Sequence, residues 1–280
     1  MNKPSDSIAV TPEASLPIEK PEPYAIEVEG LSLEIAGQKL LSDIDFKIAP
    51  GEFVAIVGEV GSGKSLLVLS LAGETGAQFK KFELQSPSVA KNALTLPLDE
   101  RRRHFAFVGQ EGFVMSASLR ENVIFRYEAE GDSTQVVRSL ETAQFRVNGE
   151  HLTNGLETEI GERGVNLSGG QRQRVALARA HYLDRPIFLL DDCLSAVDVD
   201  TERQLITNLI DGAWAGRTRL LITHRLSVLE KVDRIFFMED GRIVDRGSFA
   251  ELLERSAKMR DYVASVRRAD KKPVGEVAHV

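Results

Sequence analysis

A glycine-rich loop that ends in a lysine and a serine is the segment whose residue types point most directly to chemistry. Gly58-Glu-Val-Gly-Ser-Gly-Lys64-Ser65 has the spacing G-x-x-x-x-G-K-[ST] and follows an apolar run, Phe53–Val57. Glycines let successive backbone N–H groups point at an anion, and the N-terminus of a following helix adds positive charge. Lys64 would then reach the β- and γ-phosphates of a nucleotide, while the Ser65 hydroxyl would ligate Mg²⁺. The competing interpretation, a structural glycine-rich turn, is disfavoured by the strand before the loop and the helix predicted after it.

Two carboxylates follow a second apolar run, Ile187–Leu190. Sites in open α/β sheets lie at the carboxyl ends of strands, so we expect Asp191 and Asp192 to face the phosphates. Asp191 is the expected partner of Mg²⁺, through water, and Asp192 stands where a base or a water-orienting group would act. Taken alone, an acidic pair at a strand end is equally compatible with a solvated cap. The phosphate-binding loop earlier in the chain favours the catalytic interpretation.

A second helix N-terminus carries glycines and a capping serine. Leu167-Ser168-Gly169-Gly170-Gln171 precedes a predicted helix, and Ser168 can cap it while the glycines permit close approach of an anion. One nucleotide hardly requires two such anion sites within one chain. The second site therefore suggests a nucleotide site completed across a dimer.

The elements that must position these residues alternate between strands and helices, which predicts an α/β core. Segment Gly73–Leu98 is expected to hold short antiparallel strands and a loop, and Arg234–Arg246 a hairpin that turns at Asp240-Gly241. Further strands are predicted at Ala25–Ile35, Lys39–Ile48, Phe53–Val57, Phe105–Val108, Ile187–Leu190 and Arg219–Thr223. Helices are predicted at Leu66–Ala72, over most of Ser118–Gly149, at Gln171–Tyr182 and at Glu251–Val266.

Composition limits the classes of protein that fit. The 280 residues include 35 Lys and Arg against 42 Asp and Glu, a formal charge of −7, so nucleic acid is an unlikely main partner. No apolar run reaches the roughly 18 residues that span a bilayer. The N-terminal residues lack the basic and then apolar pattern of a signal peptide, and the single cysteine, Cys193, cannot form an internal disulfide. The sequence therefore predicts a protein that is neither secreted, membrane-spanning nor disulfide-stapled.

The motifs taken together resemble the nucleotide-binding domain of ABC transporters over about residues 25–265. The loop at 58–65 is similar to Walker A, Ile187–Asp192 to Walker B, and Leu167–Gln171 to the ABC signature. Three further elements are the Q-loop glutamine Gln110, the D-loop at Ser195-Ala-Val-Asp198, and the switch histidine His224. All six elements occur in the family's order.

The resemblance implies roles for individual residues. Asp192, His224 and Gln110 would be catalytic, and Ser65, Gln110 and Asp191 would bind Mg²⁺. Residues expected to contact ATP in the Walker A loop and the signature are Gly58, Glu59, Val60, Gly61, Ser62, Gly63, Lys64, Ser65, Leu66, Ser168, Gly169, Gly170 and Gln171.

The resemblance also implies an architecture and partners. We expect a P-loop NTPase (RecA-like) core with an antiparallel β subdomain and an inserted helical subdomain at about 113–168. A flexible arm at 1–24 would precede the ATP-binding domain at 25–266, and a polar tail at 267–280 would follow it. Ser118–Phe125 and Thr158–Gly164 are similar to exporter segments, and the Walker motifs resemble the first nucleotide domain of multidrug-resistance-associated (C-type) transporters. The implied partners are exporter transmembrane domains, in the same or another polypeptide, and a second nucleotide-binding domain at the cytoplasmic side of the membrane.

Departures from the family pattern bear on activity. Asp192 stands where glutamate is usual and is one C–C bond shorter, about 1.5 Å, and an error near 1 Å can cost about 100-fold in rate. Ile35 occupies the region of the adenine-stacking aromatic, whose stacking is worth about 1–3 kcal/mol elsewhere. Leu66 replaces the usual Thr or Ser, and Cys193 the usual Pro. In a dimer with two nucleotide sites, the chain would thus contribute weakened Walker motifs to one site and an intact signature to the other.

Three alternatives stay open at this point. The first is an active homodimer that tolerates aspartate as its base. A non-transport ABC ATPase would act on DNA or ribosomes, although Gln110 to Leu167 is too short for a long coiled coil and only one such domain is present. A regulatory module would hold ATP without turning it over.

Overall fold

The computed structural model describes residues 21–128, 132–147, 152–162 and 164–270. In chain order the strands of this part are β1 (Ala25–Ile35), β2 (Gln38–Ile48), β3 (Phe53–Val57), β4 (Lys81–Gln85), β5 (Ala90–Asn92), β6 (Phe105–Val108), β7 (Ala117–Ser118), β8 (Glu159–Ile160), β9 (Ile187–Asp191), β10 (Thr218–Ile222), β11 (Arg234–Glu239) and β12 (Arg242–Gly247). The α-helices are α1 (Lys64–Ala72), α2 (Leu98–Arg102), α3 (Leu119–Ile124), α4 (Ser133–Thr142), α5 (Gly169–Leu183), α6 (Val199–Leu205), α7 (Leu226–Leu229), α8 (Phe249–Arg255) and α9 (Ala257–Asp270). Gly155–Glu157 forms a 3₁₀ turn, and Ile206–Ala213 continues α6 as a π-helix.

The larger sheet has the strand order β12-β11-β3-β10-β9-β6, and its pairs are parallel apart from the β11–β12 hairpin. Every residue of β3, β9 and β10 is buried. Strands covered on both faces favour apolar side chains at successive positions, which explains the apolar runs Phe53–Val57 in β3, Ile187–Leu190 in β9 and Leu220–Ile222 in β10. The hairpin turns at Asp240 (φ 45°) and Gly241 (φ 70°), both left-handed, as a type I′ turn requires.

The second sheet is antiparallel, with the order β2-β1-β4-β5. Along β1 the side chains of Ile26 and Val28 point inward and alternate with more exposed neighbours, as expected of a sheet with one covered face. Ile26 and Val28 join one core cluster with Val54 and Ile56 of β3. The alternate residues of β3, such as Ala55, belong to the other cluster, which packs against the helices. The larger sheet is thus covered by the second sheet and α1 on one face and by helices on the other, and the predicted α/β core with an antiparallel subdomain is confirmed.

Two predicted helices are each divided in the structure. Within Ser118–Gly149, α3 ends where Phe125 takes a left-handed φ of 64°, and α4 begins only after the Asp132 cap. Residues 129–131, 148 and 149 of that prediction lie outside the described residues. Within Glu251–Val266, Ser256 has extended backbone (φ −100°, ψ 113°) and separates α8 from α9. The apolar spacing continues through Ser256, so periodicity alone could not reveal this break.

Helix starts and chain ends also differ from the predictions. The first helix begins at Lys64 rather than Leu66, because left-handed Gly63 (φ 97°) turns the chain directly into it. The last helix continues to Asp270, past the predicted start of the tail at 267, and residues 271–280 lie outside the described part. Most of the predicted arm, residues 1–20, also lies outside it.

The last residues of the predicted arm are hydrogen-bonded to the α/β core. The carbonyl of Pro21 accepts from the Arg217 guanidinium, and that of Tyr24 accepts from the Thr218 hydroxyl at 2.6 Å. None of the helices in the described ranges combines the length and the hydropathy needed to cross a bilayer.

Candidate nucleotide-binding site

The register of the parallel strands brings the predicted site residues to one edge of the larger sheet. Val108 of β6 pairs with Leu190 of β9, so Gln110 leaves its strand beside Asp191 and Asp192. On the other side of β9, Asp191 pairs with Ile222 of β10, so His224 emerges at the same edge. The phosphate-binding loop follows β3, the next strand along. Four segments far apart in sequence thus meet at the carboxyl ends of neighbouring strands, where α/β proteins bind ligands.

Glycine is required at specific positions of the loop. Gly58 has a φ of 146°, and a Cβ there would lie 2.1 Å from the carbonyl oxygen of Met238. Gly63, at φ 97°, ends the loop, and a Cβ there would lie 2.8 Å from the Leu41 side chain. These contacts press the loop against β2 and β11 and fix its path into α1. The backbone N–H groups of the first turn of α1 are then available to an anion at the helix N-terminus.

Lys64 is buried inside the loop. Its Nζ donates to the carbonyl oxygens of Gly58 (2.9 Å) and Glu59 (2.6 Å) and to the Ser62 hydroxyl (3.3 Å). Burial lowers the pKa of Lys64, against the opposing effect of the two carboxylates Asp191 and Asp192. Charged phosphate oxygens are stronger acceptors than backbone carbonyls. The loop therefore presents an ammonium group that is positioned for phosphate.

Asp191 is buried at the end of β9 and accepts a hydrogen bond from the Ser65 side chain. Burial raises the pKa of Asp191, whereas that hydrogen bond and the charge of Lys64 lower it. A hydroxyl and a carboxylate in contact, beside a phosphate-binding loop, fit Mg²⁺, which prefers oxygen ligands and keeps waters and substrate phosphates as its other ligands. The residues present therefore suit a magnesium-bound phosphate.

Asp192 has a left-handed backbone, with φ 43°. Its N–H donates to the Ile222 carbonyl at 3.0 Å, and its carbonyl accepts from the Ser195 N–H (3.1 Å) and hydroxyl (2.9 Å). Aspartate is one of the few side chains that tolerate this conformation readily. Burial raises the pKa of Asp192, although nearby His224 and Arg225 oppose the shift. A carboxylate with a raised pKa is a better proton acceptor than one in water.

His224 lines a pocket with Gly58 and Asp192, which agrees with its predicted place. Its Nδ1 lies 2.9 Å from the hydroxyl of Tyr262, a buried residue of α9 that lines the same pocket. The sequence analysis did not identify Tyr262. Its 38-residue separation from His224 follows no motif spacing, and only the packing of α9 on the core brings the two side chains together.

Gln110 is exposed just after β6, and the backbone next to it is tied to α5. The carbonyl of Gly109 accepts from Nε2 of Gln173 at 3.1 Å. A Cβ on Gly112 would lie 2.3 Å from the backbone of Arg172. The Q-loop therefore packs directly against the first turns of α5, the helix that begins within the signature.

The signature forms a cap of the predicted kind. The Ser168 hydroxyl accepts from the Gln171 N–H at 3.2 Å, and the Gln171 side chain accepts from the Ser168 N–H at 2.7 Å. Because of this cap α5 begins at Gly169, earlier than predicted. Ser168 and Gly169 are exposed, and Leu167 and Gln171 line a pocket different from the ones lined by the phosphate-binding loop. The structure thus brings the Walker residues together and places the signature on a separate surface.

The remaining predicted positions lie around the loop. Ile35 ends β1 and is 52% exposed, so its aliphatic side chain is available where a stacking aromatic was expected. Glu59, Val60 and Gly61 are exposed at the tip of the loop, and Leu66 is half-buried on α1. Cys193 is fully buried, and burial strongly raises the pKa of its thiol, which makes it a packing residue rather than a nucleophile.

Comparison of the sequence with known proteins finds a family and several relatives. The profile of the family described as "ABC transporter" matches residues 41–195. The chain is 37% identical over 244 residues to ABC transporter C family member 8 of Dictyostelium discoideum, covering 86% of this chain and 14% of that protein. It is 40% identical over 221 residues to the ATP-dependent lipid A-core flippase of Ralstonia nicotianae, covering 78% of this chain and 36% of that protein.

A solved structure agrees with these relatives. A bacterial Atm1-family ABC exporter with ATP bound superposes with a TM-score of 0.76 at 27% identity, over 93% of this chain and 44% of that one. The chain therefore spans 14% to 44% of the length of these three proteins. The profile match covers the phosphate-binding loop, both carboxylates and the signature. The chain belongs to the ABC transporter family and carries its nucleotide-binding domain.

Proposed function

We propose that the chain binds Mg²⁺ and ATP, hydrolyses ATP, and powers export by membrane-spanning partners. The observation that carries this proposal is the convergence of Lys64, the Ser65–Asp191 pair, Asp192 and His224 at one sheet edge. The flippase and the exporter named above are ATP-dependent or ATP-bound by their descriptions. Their full activity includes parts that this chain does not cover.

Each residue would have a distinct role in hydrolysis. Backbone N–H groups from Gly61 to Ser65 and the Lys64 ammonium would hold the phosphates. Mg²⁺, held by Ser65 and Asp191 with Gln110 nearby, would neutralise phosphate charge. Asp192 would orient the attacking water and accept its proton. His224 would contact the γ-phosphate.

A second nucleotide-binding domain would complete the site. The exposed N-terminus of α5, with Ser168 and Gly169, is free to face a nucleotide held by a partner. In the reverse direction, the pocket at Lys64 and Asp192 would need the partner's signature. The chain has a short base at Asp192 and no ring at Ile35, so the site built on its own Walker motifs would hydrolyse ATP more slowly. Its signature would complete the faster site, which is built on the partner's Walker motifs.

The transmembrane partner would dock in an aromatic groove, which we define by Phe107, Phe113, Phe125, Arg102 and Arg185. Phe113 and Phe125 contact each other edge to face and are 60% and 48% exposed, and large apolar side chains exposed together are typical of an interaction site. An aliphatic or aromatic helix would match these rings, whereas Arg102 is already paired with Glu74 at 2.8 Å. Since the groove borders the Q-loop, such a partner would respond to the nucleotide, and the domain would sit at the cytoplasmic side of the membrane.

A binding-only role is the second candidate, and the short carboxylate at Asp192 is the observation that favours it. Single-turnover hydrolysis with excess protein separates the two functions. An ATPase should convert most bound ATP to ADP in a Mg²⁺-dependent reaction. A binding-only module should release ATP unchanged.

Docking is tested with the Phe125→Ser variant. The chain and its variants would be expressed in cells that contain the native partner and purified with the solubilised membrane fraction. Phe125→Ser should reduce co-purification and partner-stimulated ATPase at least about tenfold, because it removes an exposed aromatic anchor that the partner would bury. Tyr127→Ser is the matched control, because Tyr127 is also an exposed aromatic, 61%, but does not line the groove. Equal behaviour of the two variants would contradict docking at this groove.

A further inference from the structure

The hydroxyl of Tyr262 is held rigidly against the ring of His224. Helix α9 buries Met259, Tyr262, Val263 and Val266 in the core cluster that packs beneath the larger sheet. The Tyr262 ring meets Phe237 of β11 edge to face, at 5.9 Å and 85°. Since packing fixes the ring, its hydroxyl has little freedom, and it lies 2.9 Å from Nδ1 of His224.

The proton in this contact determines which tautomer His224 adopts. A neutral imidazole carries one N–H, on either Nδ1 or Nε2. If Nδ1 donated to the phenol oxygen, the phenolic proton of Tyr262 would need another acceptor. Among the described residues, Nδ1 is the hydrogen-bond partner found for this hydroxyl. A buried hydroxyl proton without an acceptor is costly, so the phenol donates to Nδ1 and the imidazole proton is placed on Nε2.

The phenol also stays protonated at neutral pH. Burial raises the pKa of Tyr262, and the negative charge of Asp192 raises it further. A phenol that keeps its proton remains a hydrogen-bond donor throughout the range in which an enzyme of this kind works. The donor direction is therefore the same whether or not Asp192 is charged.

We propose that Tyr262 is a positioning residue, which holds His224 as the Nε2–H tautomer so that Nε2 donates to the γ-phosphate. The inference deepens the proposed function and rests on it for the identity of the acceptor. The Tyr262 hydroxyl occupies Nδ1, and His224 lines a pocket with Gly58 and Asp192, so Nε2 is the ring nitrogen left for a group bound in that pocket. An oxygen anion in that pocket needs a donor. The Nδ1–H tautomer would instead present the lone pair of Nε2 to that anion.

Tyr262→Phe removes the hydroxyl and keeps the ring that packs against Phe237. Tyr24→Phe is the matched control, because Tyr24 is a second tyrosine whose ring lies against a histidine, His104, with the ring centres 5.4 Å apart. Nitrogen-15 NMR of the chain labelled at histidine reports the tautomer without nucleotide, at about pH 8, above the ordinary imidazole pKa of about 6.5. His224→Gln assigns the resonances.

We expect the unmodified chain and Tyr24→Phe to show the Nε2–H tautomer at His224, and Tyr262→Phe to show a mixture. With partner and Mg²⁺ and ATP present, Tyr262→Phe should lower kcat about tenfold, the scale of other supporting contacts to functional histidines. Its affinity for ATP should change less than about twofold, since most phosphate contacts lie in the loop. If Tyr262 had a purely structural role, Tyr262→Phe would instead lower the melting temperature and change both kcat and the affinity for ATP.

Two results would overturn the inference. The Nδ1–H tautomer in the unmodified chain would reverse the direction of the hydrogen bond. An unchanged tautomer and kcat in Tyr262→Phe would show that the hydroxyl does not position His224. Failure of the proposed function is distinguishable, because then the unmodified chain would not hydrolyse ATP while the NMR measurement would still report the tautomer.

Discussion

The guanidinium carbon of Arg179 lies 4.2 Å from the centre of the Phe125 ring and so links the signature helix to the aromatic groove. The guanidinium also donates to the carbonyls of Asn122 (2.9 Å) and Phe113 (2.9 Å). Burial lowers the pKa of Arg179 to about 10, so the group remains charged at neutral pH and stacks as a cation on the ring. Arg179 thus joins α5 to both aromatic walls of the groove.

This link predicts that Arg179→Lys destabilises the domain despite the retained charge. An ammonium cannot stack as a plane or reproduce the two divergent N–H bonds. We expect the free energy of unfolding to fall by about 1–3 kcal/mol, the cost of leaving buried acceptors unpaired. Chemical denaturation measures it. Arg203→Lys, at an exposed i,i+3 pair with Asp200, is the control and should change stability by less than about 0.5 kcal/mol. Equal effects would contradict a structural role for the stacked guanidinium.

Gly58→Ala tests how closely the loop is built onto β11. The new Cβ would lie 2.1 Å from the Met238 carbonyl oxygen, and a φ of 146° is unfavourable for alanine. The loop must then move, so ATP affinity should fall by at least about tenfold, as 1 Å displacements of binding groups commonly do. Equilibrium binding of a fluorescent ATP analogue measures this. Gly76→Ala, where a Cβ has no neighbour within 4 Å, should leave affinity unchanged. Normal affinity in Gly58→Ala would show that the loop adapts.

What the sequence allowed us to predict follows from short-range patterns. The apolar runs Phe53–Val57 and Ile187–Leu190 predicted two of the buried strands, and a serine directly before a predicted helix indicated the Ser168 cap. Contacts between distant segments left no such pattern. The Arg179–Phe125 stack and the Tyr262–His224 bond each join residues that are far apart in sequence, and both depend on how helices pack.

Asp192→Glu tests whether reach limits hydrolysis. The longer side chain should bring the carboxylate nearer the attacking water, and we expect a rate increase of about tenfold or more. The left-handed backbone, φ 43°, opposes this gain, because glutamate adopts it less readily than aspartate. Asp192→Asn keeps that conformation but cannot accept a proton, so it should bind ATP normally and not turn it over. Steady-state ATPase and ATP binding are measured together. A rate at or below that of the unmodified chain, with binding preserved, would show that base geometry is not the limitation.

Asymmetry between the two sites of the assembled complex gives the sharpest prediction. The Walker residues and the signature lie on separate surfaces of this chain, so each can be damaged without the other. Suppose that the partner supplies complete Walker motifs to the site that this chain's signature closes. Lys64→Ala should then leave much of the ATPase activity intact, because the substitution affects only this chain's own phosphate-binding loop.

Ser168→Arg should abolish turnover in the same complex. It places a bulky side chain against the partner's nucleotide and removes the hydroxyl that accepts from the Gln171 N–H, a cap worth about 1 kcal/mol. The controls are Lys91→Ala and Ser227→Arg, neither of which lines a pocket with the phosphate loop or the signature. All variants would be purified with the native partner and assayed at saturating ATP. Equal loss from Lys64→Ala and Ser168→Arg would instead favour a symmetric homodimer, because each of its sites draws both motifs from this sequence.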